Sequence, residues 1–158
     1  MDIVRRFVLL AALLFWQGGF LFYAAVVIPI GREVLGNILE QARITRQATH
    51  ALNLAGGIAL VPLAWDILAV PDPVRARYRS RVLLWVLLLG SLLSLVWLRY
   101  VLERQFDPSA LKIADHSAFS VEHQVYVGLS ITQTVLVLVC LILTLAAWQA
   151  RDQHRIEL

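Results

Sequence analysis

The sequence predicts an all-α fold: a four-helix transmembrane bundle, up-down-up-down, with both termini cytoplasmic. Three observations predict it. Hydrophobic residues are 59% of the 158-residue chain and charged residues only 16%, against about 45–50% and about 25% in a soluble domain. Four runs free of Asp, Glu, Lys and Arg approach or exceed the about 20 residues needed to cross a roughly 30 Å hydrocarbon layer. The basic residues then divide unevenly between the two sets of ends that four crossings leave. This balance excludes a soluble globular enzyme, a disordered chain and a disulfide-rich scaffold. One cysteine, Cys140, cannot form an internal disulfide or a CxxC pair. The single methionine, at position 1, excludes a Met-lined conduit for soft metals.

The runs are Phe7 to Gly31, Gln47 to Trp65, Val82 to Leu98 and His123 to Ala150. They predict one integral membrane domain over residues 1–158, with spans at about 7–30, 47–70, 82–102 and 121–149. The first run is too long for a signal-peptide core and no small-residue cleavage site closes it, so it reads as a retained helix. Pro29 is expected to end that helix. Between the first two spans, Val34, Leu35, Ile38 and Leu39 recur at helical spacing. They form either a short amphipathic surface helix or an extension of span two. Pro62 lies inside the second span and frees the Ile58 carbonyl, which predicts a kink. Pro71-Asp72-Pro73 makes a short turn, so spans two and three are antiparallel neighbours. In the third connection, Asp107-Pro108-Ser109 is expected to start a short interfacial helix anchored by Leu111 and Ile113.

Orientation follows from the basic residues at the span ends. Arg5, Arg6, Arg75, Arg77, Arg79, Arg81, Arg151 and Arg155 share one side. Arg32, Arg43, Arg46, Arg99, Arg104 and Lys112 share the other, diluted by six acids. The eight-to-six excess, packed tight against the helix ends, places both termini in the cytoplasm. The net charge of +3 belongs to this signal. No soluble basic surface interleaved with aromatics exists for nucleic acid, and the Arg75–Arg81 cluster can meet anionic headgroups. Trp65, Trp85, Trp97 and Trp148 fall near span ends, as an interfacial belt requires. Trp16 falls nearer the middle and is either packed or functional.

Polar residues at membrane depth carry the functional signal. His50, Asn53 and Gly57 share one face of span two. His123, Tyr126, Ser130 and Gln133 or Thr134 form a similar stripe on span four, and Trp16, Gly19 and Tyr23 do so on span one. With Gln17 they gather in the outer half, while the inner halves are nearly all apolar. Trp16, Gln17, Tyr23, His50, Asn53, His123, Tyr126 and Gln133 are therefore the candidate ligand-binding residues. Two readings stand: an outward-opening pocket, or interhelical hydrogen bonding that fixes helix register, such bonds averaging about 0.6 kcal/mol. His50 and His123 are also the one pair that could ligate a b-type haem or a metal. His116 is a loop residue beside Asp115, and His154 lies in the tail. Asp66 is the one acid inside a span and is expected to pair with Arg5, Arg6 or the Arg75–Arg81 cluster. Arg99 is expected to pair with Glu103 or Glu122. No nucleophile has a base beside it, and Cys140 lies among apolar residues where a thiol is inert.

Trp16-Gln-Gly-Gly-Phe-Leu-Phe-Tyr23, Val26-Val27 with Pro29-Ile30, Ile44-Thr45, Leu52-Asn53 with Gly56, His123-Gln-Val-Tyr126 and Thr132-Gln133-Thr134 together resemble the transmembrane-205-like family of four-span proteins, a domain of unknown function. The resemblance covers nearly the whole chain. It implies a four-helix membrane bundle with no assigned catalytic activity and no catalytic residue to carry over. A weaker similarity, to copper-resistance and cytochrome-b561-type proteins, lacks their methionines and stacked histidine pairs.

The expected function is that of a non-enzymatic integral membrane protein of the inner (cytoplasmic) membrane. It is either an accessory subunit or a small-ligand-binding bundle, with no resident cofactor. The alternatives are a haem-binding or redox subunit using His50 and His123, and a small transporter holding substrate with Gln17, His50, Asn53 and Gln133. The expected partners are lipid and either other membrane subunits or a second copy.

Overall fold

The computed structural model describes residues 2–36, 38–69, 72–104, 106–107, 112–113 and 116–156. It is built from helices: α1 (Asp2–Phe22), a π-helical turn (Tyr23–Val27), α2 (Ile28–Leu35), α3 (Ile38–Ala69), α4 (Arg75–Arg104) and α5 (His116–Ile156). Four of the resulting segments are long and apolar enough to cross a membrane: Asp2–Leu35, Glu40–Ala69, Arg75–Leu102 and His123–Gln153. Expectations resting on Pro71, Pro108, Ser109, Leu111 and Asp115 lie outside the described residues. So do those resting on the side chains of Glu103, Ile113, His116, Glu122 and His154.

Each helix contributes a buried stripe at helical spacing: Leu9, Leu13 and Trp16; Leu60, Leu63 and Ile67; Leu88, Leu92 and Leu95; Val137, Cys140 and Trp148. The opposite faces are also apolar and are open. Phe15 is 76% and Leu68 77% exposed, whereas Asp66 and Arg81 are 0% exposed. Greasy outside and charged inside is the inverse of a water-soluble bundle, and it is stable only where the surroundings are themselves apolar.

Pro29 does not end the first helix. The chain continues through it to Leu35, and the turn just before it widens, with the Ile28 N–H bonding to the Tyr23 carbonyl five residues back. A proline cannot donate to the carbonyl four residues earlier and crowds it; the wider π turn absorbs both problems. The break comes instead at Gly36, whose φ of 57° is the left-handed conformation that ends helices. Val34 and Leu35 therefore extend span one, and Ile38 and Leu39 extend span two. Among the described residues there is no separate surface helix between the first two spans.

α3 runs continuously through Pro62. The Trp85 indole donates to the Leu60 carbonyl at 3.0 Å, joining α4 to α3 beside that proline. α4 begins where Asp72 folds over the chain: its Oδ1 accepts from the Val74 amide, and Arg77 grips both carboxylate oxygens. In the third connection, β1 (Phe106–Asp107) pairs antiparallel with β2 (Lys112–Ile113), and the expected interfacial helix over residues 108–111 lies outside the described residues.

Candidate functional site

Three close contacts fix the relative heights of the helices. A Cβ on Gly56 would lie 2.7 Å from the Trp16 ring, so α1 and α3 touch nearly backbone to indole there. Trp85 meets Leu60 between α4 and α3. Gln133 donates to the Ser91 hydroxyl at 3.0 Å between α5 and α4. Counting outward from these contacts at 1.5 Å per residue puts Gln17, Asn53, Ser91 and Gln133 at about one level.

Beyond that level the polar side chains of several helices converge. The Tyr23 hydroxyl donates to Thr45 Oγ1 at 2.8 Å. The Tyr126 hydroxyl lies against the side chains of Asn53 and Thr49, with Arg99 and Tyr23 in electrostatic range. A guanidinium N–H of Arg99 meets His50 Nδ1. Tyr23, Thr49, Asn53, Arg99 and Tyr126 therefore form one cluster drawn from all four spans. Trp16 is packed, 3% exposed. At the level of Gln17 and Asn53, Gln17 Oε1 and Asn53 Nδ2 are buried without a hydrogen-bond partner among the described residues.

Several hydroxyls of α5, those of Ser130 and Thr134 in the predicted stripe among them, do something else. Ser130 donates to the Tyr126 carbonyl, Thr132 to Gly128 and Thr134 to Ser130, each four residues back on α5. Such hydroxyls satisfy themselves on their own helix and offer little to a ligand. His50 and His123 are both exposed. His50 Nδ1 faces the Arg99 donor, which leaves the proton of the neutral ring on Nε2. A metal-ligating histidine normally donates from its other nitrogen to an acceptor, the opposite polarity. No grouping of three or more His, Cys, Asp or Glu is near enough to hold a metal among the described residues.

The opposite end of the bundle holds a cluster around Asp66, the acid expected to pair with arginines there; the rest of the inner halves read as apolar. Asp66 pairs with Arg5 Nε at 2.8 Å and with Arg81 Nη2 at 2.7 Å. The Trp148 indole donates to the same carboxylate at 3.1–3.2 Å. One side chain from each span thus meets at Asp66. Arg5 and Arg81 both pair with it, as expected, but burial rather than snorkelling is the outcome: Arg81 is wholly enclosed. Trp148 is correspondingly no belt residue, being 5% exposed. Around this centre Arg6 holds Asp152 through two bonds of 2.6–2.7 Å and lies 5.0 Å over the Trp148 ring. Asp2 bridges Arg5 and Arg151. The sequence marks only the acid as deep: Asp66 lies a turn inside the second expected span, whereas Arg81 sits just before the third and Trp148 at the end of the fourth.

An apolar groove of about 220 Å³ runs between α1 and α3, lined by Ala12, Phe15, Ala51, Leu54, Ala55 and Ile58. It contains none of the candidate polar residues. No family model, curated protein or solved structure matches this chain.

Proposed function

We propose that the chain is a non-enzymatic, multi-pass protein of the cytoplasmic membrane whose outer half holds a small polar ligand among spans one, two and four. The observation that carries this reading is the pair of buried, unpartnered atoms, Gln17 Oε1 and Asn53 Nδ2, at about one level, with the Asn53 side chain against Tyr126. One accepts and one donates. A buried polar atom without a partner costs about 1–3 kcal/mol. A ligand carrying both a donor and an acceptor, such as a hydroxyl or amide, relieves both at once.

In this reading the helices run up-down-up-down with both termini cytoplasmic. The charged cluster lies toward the cytoplasm and the ligand site toward the exterior. Support comes from the arginine excess and from the way the start of α1, the end of α3, the start of α4 and the end of α5 meet at Asp66. Likeness to the transmembrane-205-like family is part of the same proposal.

The test is native mass spectrometry of the protein purified in mild detergent. A bound small species is expected, lost from a Gln17→Leu/Asn53→Leu double variant that still elutes as folded protein. Wild-type protein that carries no small species, but co-purifies with a stoichiometric membrane subunit, would replace this reading with an accessory role.

A further inference from the structure

Arg75, Arg77, Arg79 and Arg81 all lie in the first two turns of α4, and the structure divides them. Arg77 is held by Asp72 and Arg81 by Asp66. Arg75 and Arg79 are exposed and have no acid beside them among the described residues. They stand four residues apart, so they share one face of the helix, with about 5–6 Å between their Cβ atoms. Unpaired guanidiniums at that spacing repel each other. They also sit at the positive end of the α4 dipole, where the first turn holds no acid. No described residue offsets either cost.

The same face continues along α4 as open apolar surface. Leu83, Val86 and Leu93 follow Arg75 and Arg79 at helical spacing and are all exposed. Gly90 lies among them, and a Cβ there would meet nothing within 4 Å. The strip is turned away from Arg81, Leu88, Leu92 and Leu95, which are buried on the far side of the helix. From Leu83 to Leu93 the helix rises about 15 Å, one leaflet of a roughly 30 Å hydrocarbon layer. Arg79 then stands at headgroup level and Arg75 one turn beyond it. Both side chains are long and unhindered, so both can turn toward a single phosphate.

We propose that Arg75 and Arg79 hold the phosphate of one anionic phospholipid, with its acyl chain along Leu83, Val86 and Leu93. The headgroup must carry net negative charge. A zwitterionic lipid brings its own cationic amine to a place that already holds two guanidiniums. A free phosphate satisfies the arginines but has no use for the strip beside them. This site is separate from the outer ligand site, which lies at the other end of α4, and it serves whichever leaflet its own end occupies.

The experiment titrates phosphatidylglycerol, against an equal amount of phosphatidylcholine, into the full chain in mild detergent and counts bound lipid by native mass spectrometry. One phosphatidylglycerol is expected to bind about ten- to thirtyfold more tightly than phosphatidylcholine, the combined worth of two arginines at a headgroup surface. Arg75→Gln/Arg79→Gln should bring that ratio near unity. Arg32→Gln/Arg43→Gln, which removes the same charge from exposed positions at the other end of the bundle, should leave it unchanged. Inorganic phosphate in large excess should not displace the lipid. Wild-type protein that does not discriminate between the lipids, equal losses in the two double variants, or displacement by inorganic phosphate overturns the proposal. Arg75 and Arg79 leave no partner stranded, so in phosphatidylcholine the unfolding midpoint of Arg75→Gln/Arg79→Gln is expected at or above that of wild type, and only wild type should gain from phosphatidylglycerol. A midpoint well below wild type in phosphatidylcholine would show that these arginines hold the fold instead, and would equally overturn it.

Discussion

Asp66 and Arg81 form a 2.7 Å ion pair in which neither side chain has any exposed surface. An enclosed pair of this kind contributes little net stability over an apolar pair of equal volume, but removing one partner strands the other. Asp66→Asn should therefore destabilise the bundle by about 3–5 kcal/mol. It leaves two guanidiniums, Arg5 and Arg81, facing each other without their shared acceptor charge. Unfolding titrations in mixed micelles measure this directly; a loss under about 1 kcal/mol would show that the pair is not closed to water as described.

Trp16 and Gly56 make a second test, of packing rather than charge. A methyl on Gly56 would press on the Trp16 ring at 2.7–2.8 Å, and the glycine's own backbone cannot retreat within a helix. Gly56→Ala should cost about 1–3 kcal/mol, as overpacking does. Gly90 faces open space, so Gly90→Ala should be neutral or stabilising by up to about 1 kcal/mol through helix propensity. The same micelle titration checks both, and equal effects at the two glycines would contradict the contact.

These two sites mark where sequence reading succeeds and stops. Hydropathy over about 20 residues reports distance along each rod, so the four rods and the gathering of Tyr23, Asn53 and Tyr126 at one end of the bundle were legible. Distance along a rod does not report rotation about the helix axis. The sequence offers Asp66 six arginines, Arg5, Arg6, Arg75, Arg77, Arg79 and Arg81, and only rotation selects Arg5 and Arg81 among them. Trp148 looked interfacial for the same reason. The serines and threonines of α5 misled in another way: a hydroxyl counts as polar in any sequence pattern, whether it faces a neighbour or closes on its own carbonyl four residues back. Pro29 misled because a π turn, which residue types barely encode, lets a helix pass a proline.

The turn between spans two and three carries a pH dependence. Burial pushes the Asp72 carboxyl up, but the Arg77 guanidinium and the Val74 amide outweigh it and hold the group below its ordinary value. A carboxyl depressed in the folded state contributes stability that is complete above its unfolded pKa of about 3.9 and is lost as pH falls through the folded value. Asp72→Asn should therefore lower stability at neutral pH and flatten the part of the stability–pH curve below about pH 4. Curves for the two proteins that run parallel through the acid range would remove this contribution.

Orientation can be read with thiols. Cys140 is the sole cysteine and is buried, so Cys140→Ala gives a clean background for single reporters. Glu33, on α2, and Gln153, near the end of α5, are both exposed. By the spacing of their helices they lie at opposite ends of the bundle. In intact cells a membrane-impermeant maleimide should label Glu33→Cys at once. Gln153→Cys should label only after the membrane is opened. Removing Glu33 takes away an acid on the outer side, which the arginine rule hardly counts, so the reporter does not disturb the topology it reports. The opposite labelling order would put both termini outside. The Asp66 cluster would then face the exterior and the Tyr126 cluster the cytoplasm, exchanging the compartments from which an outer ligand could arrive.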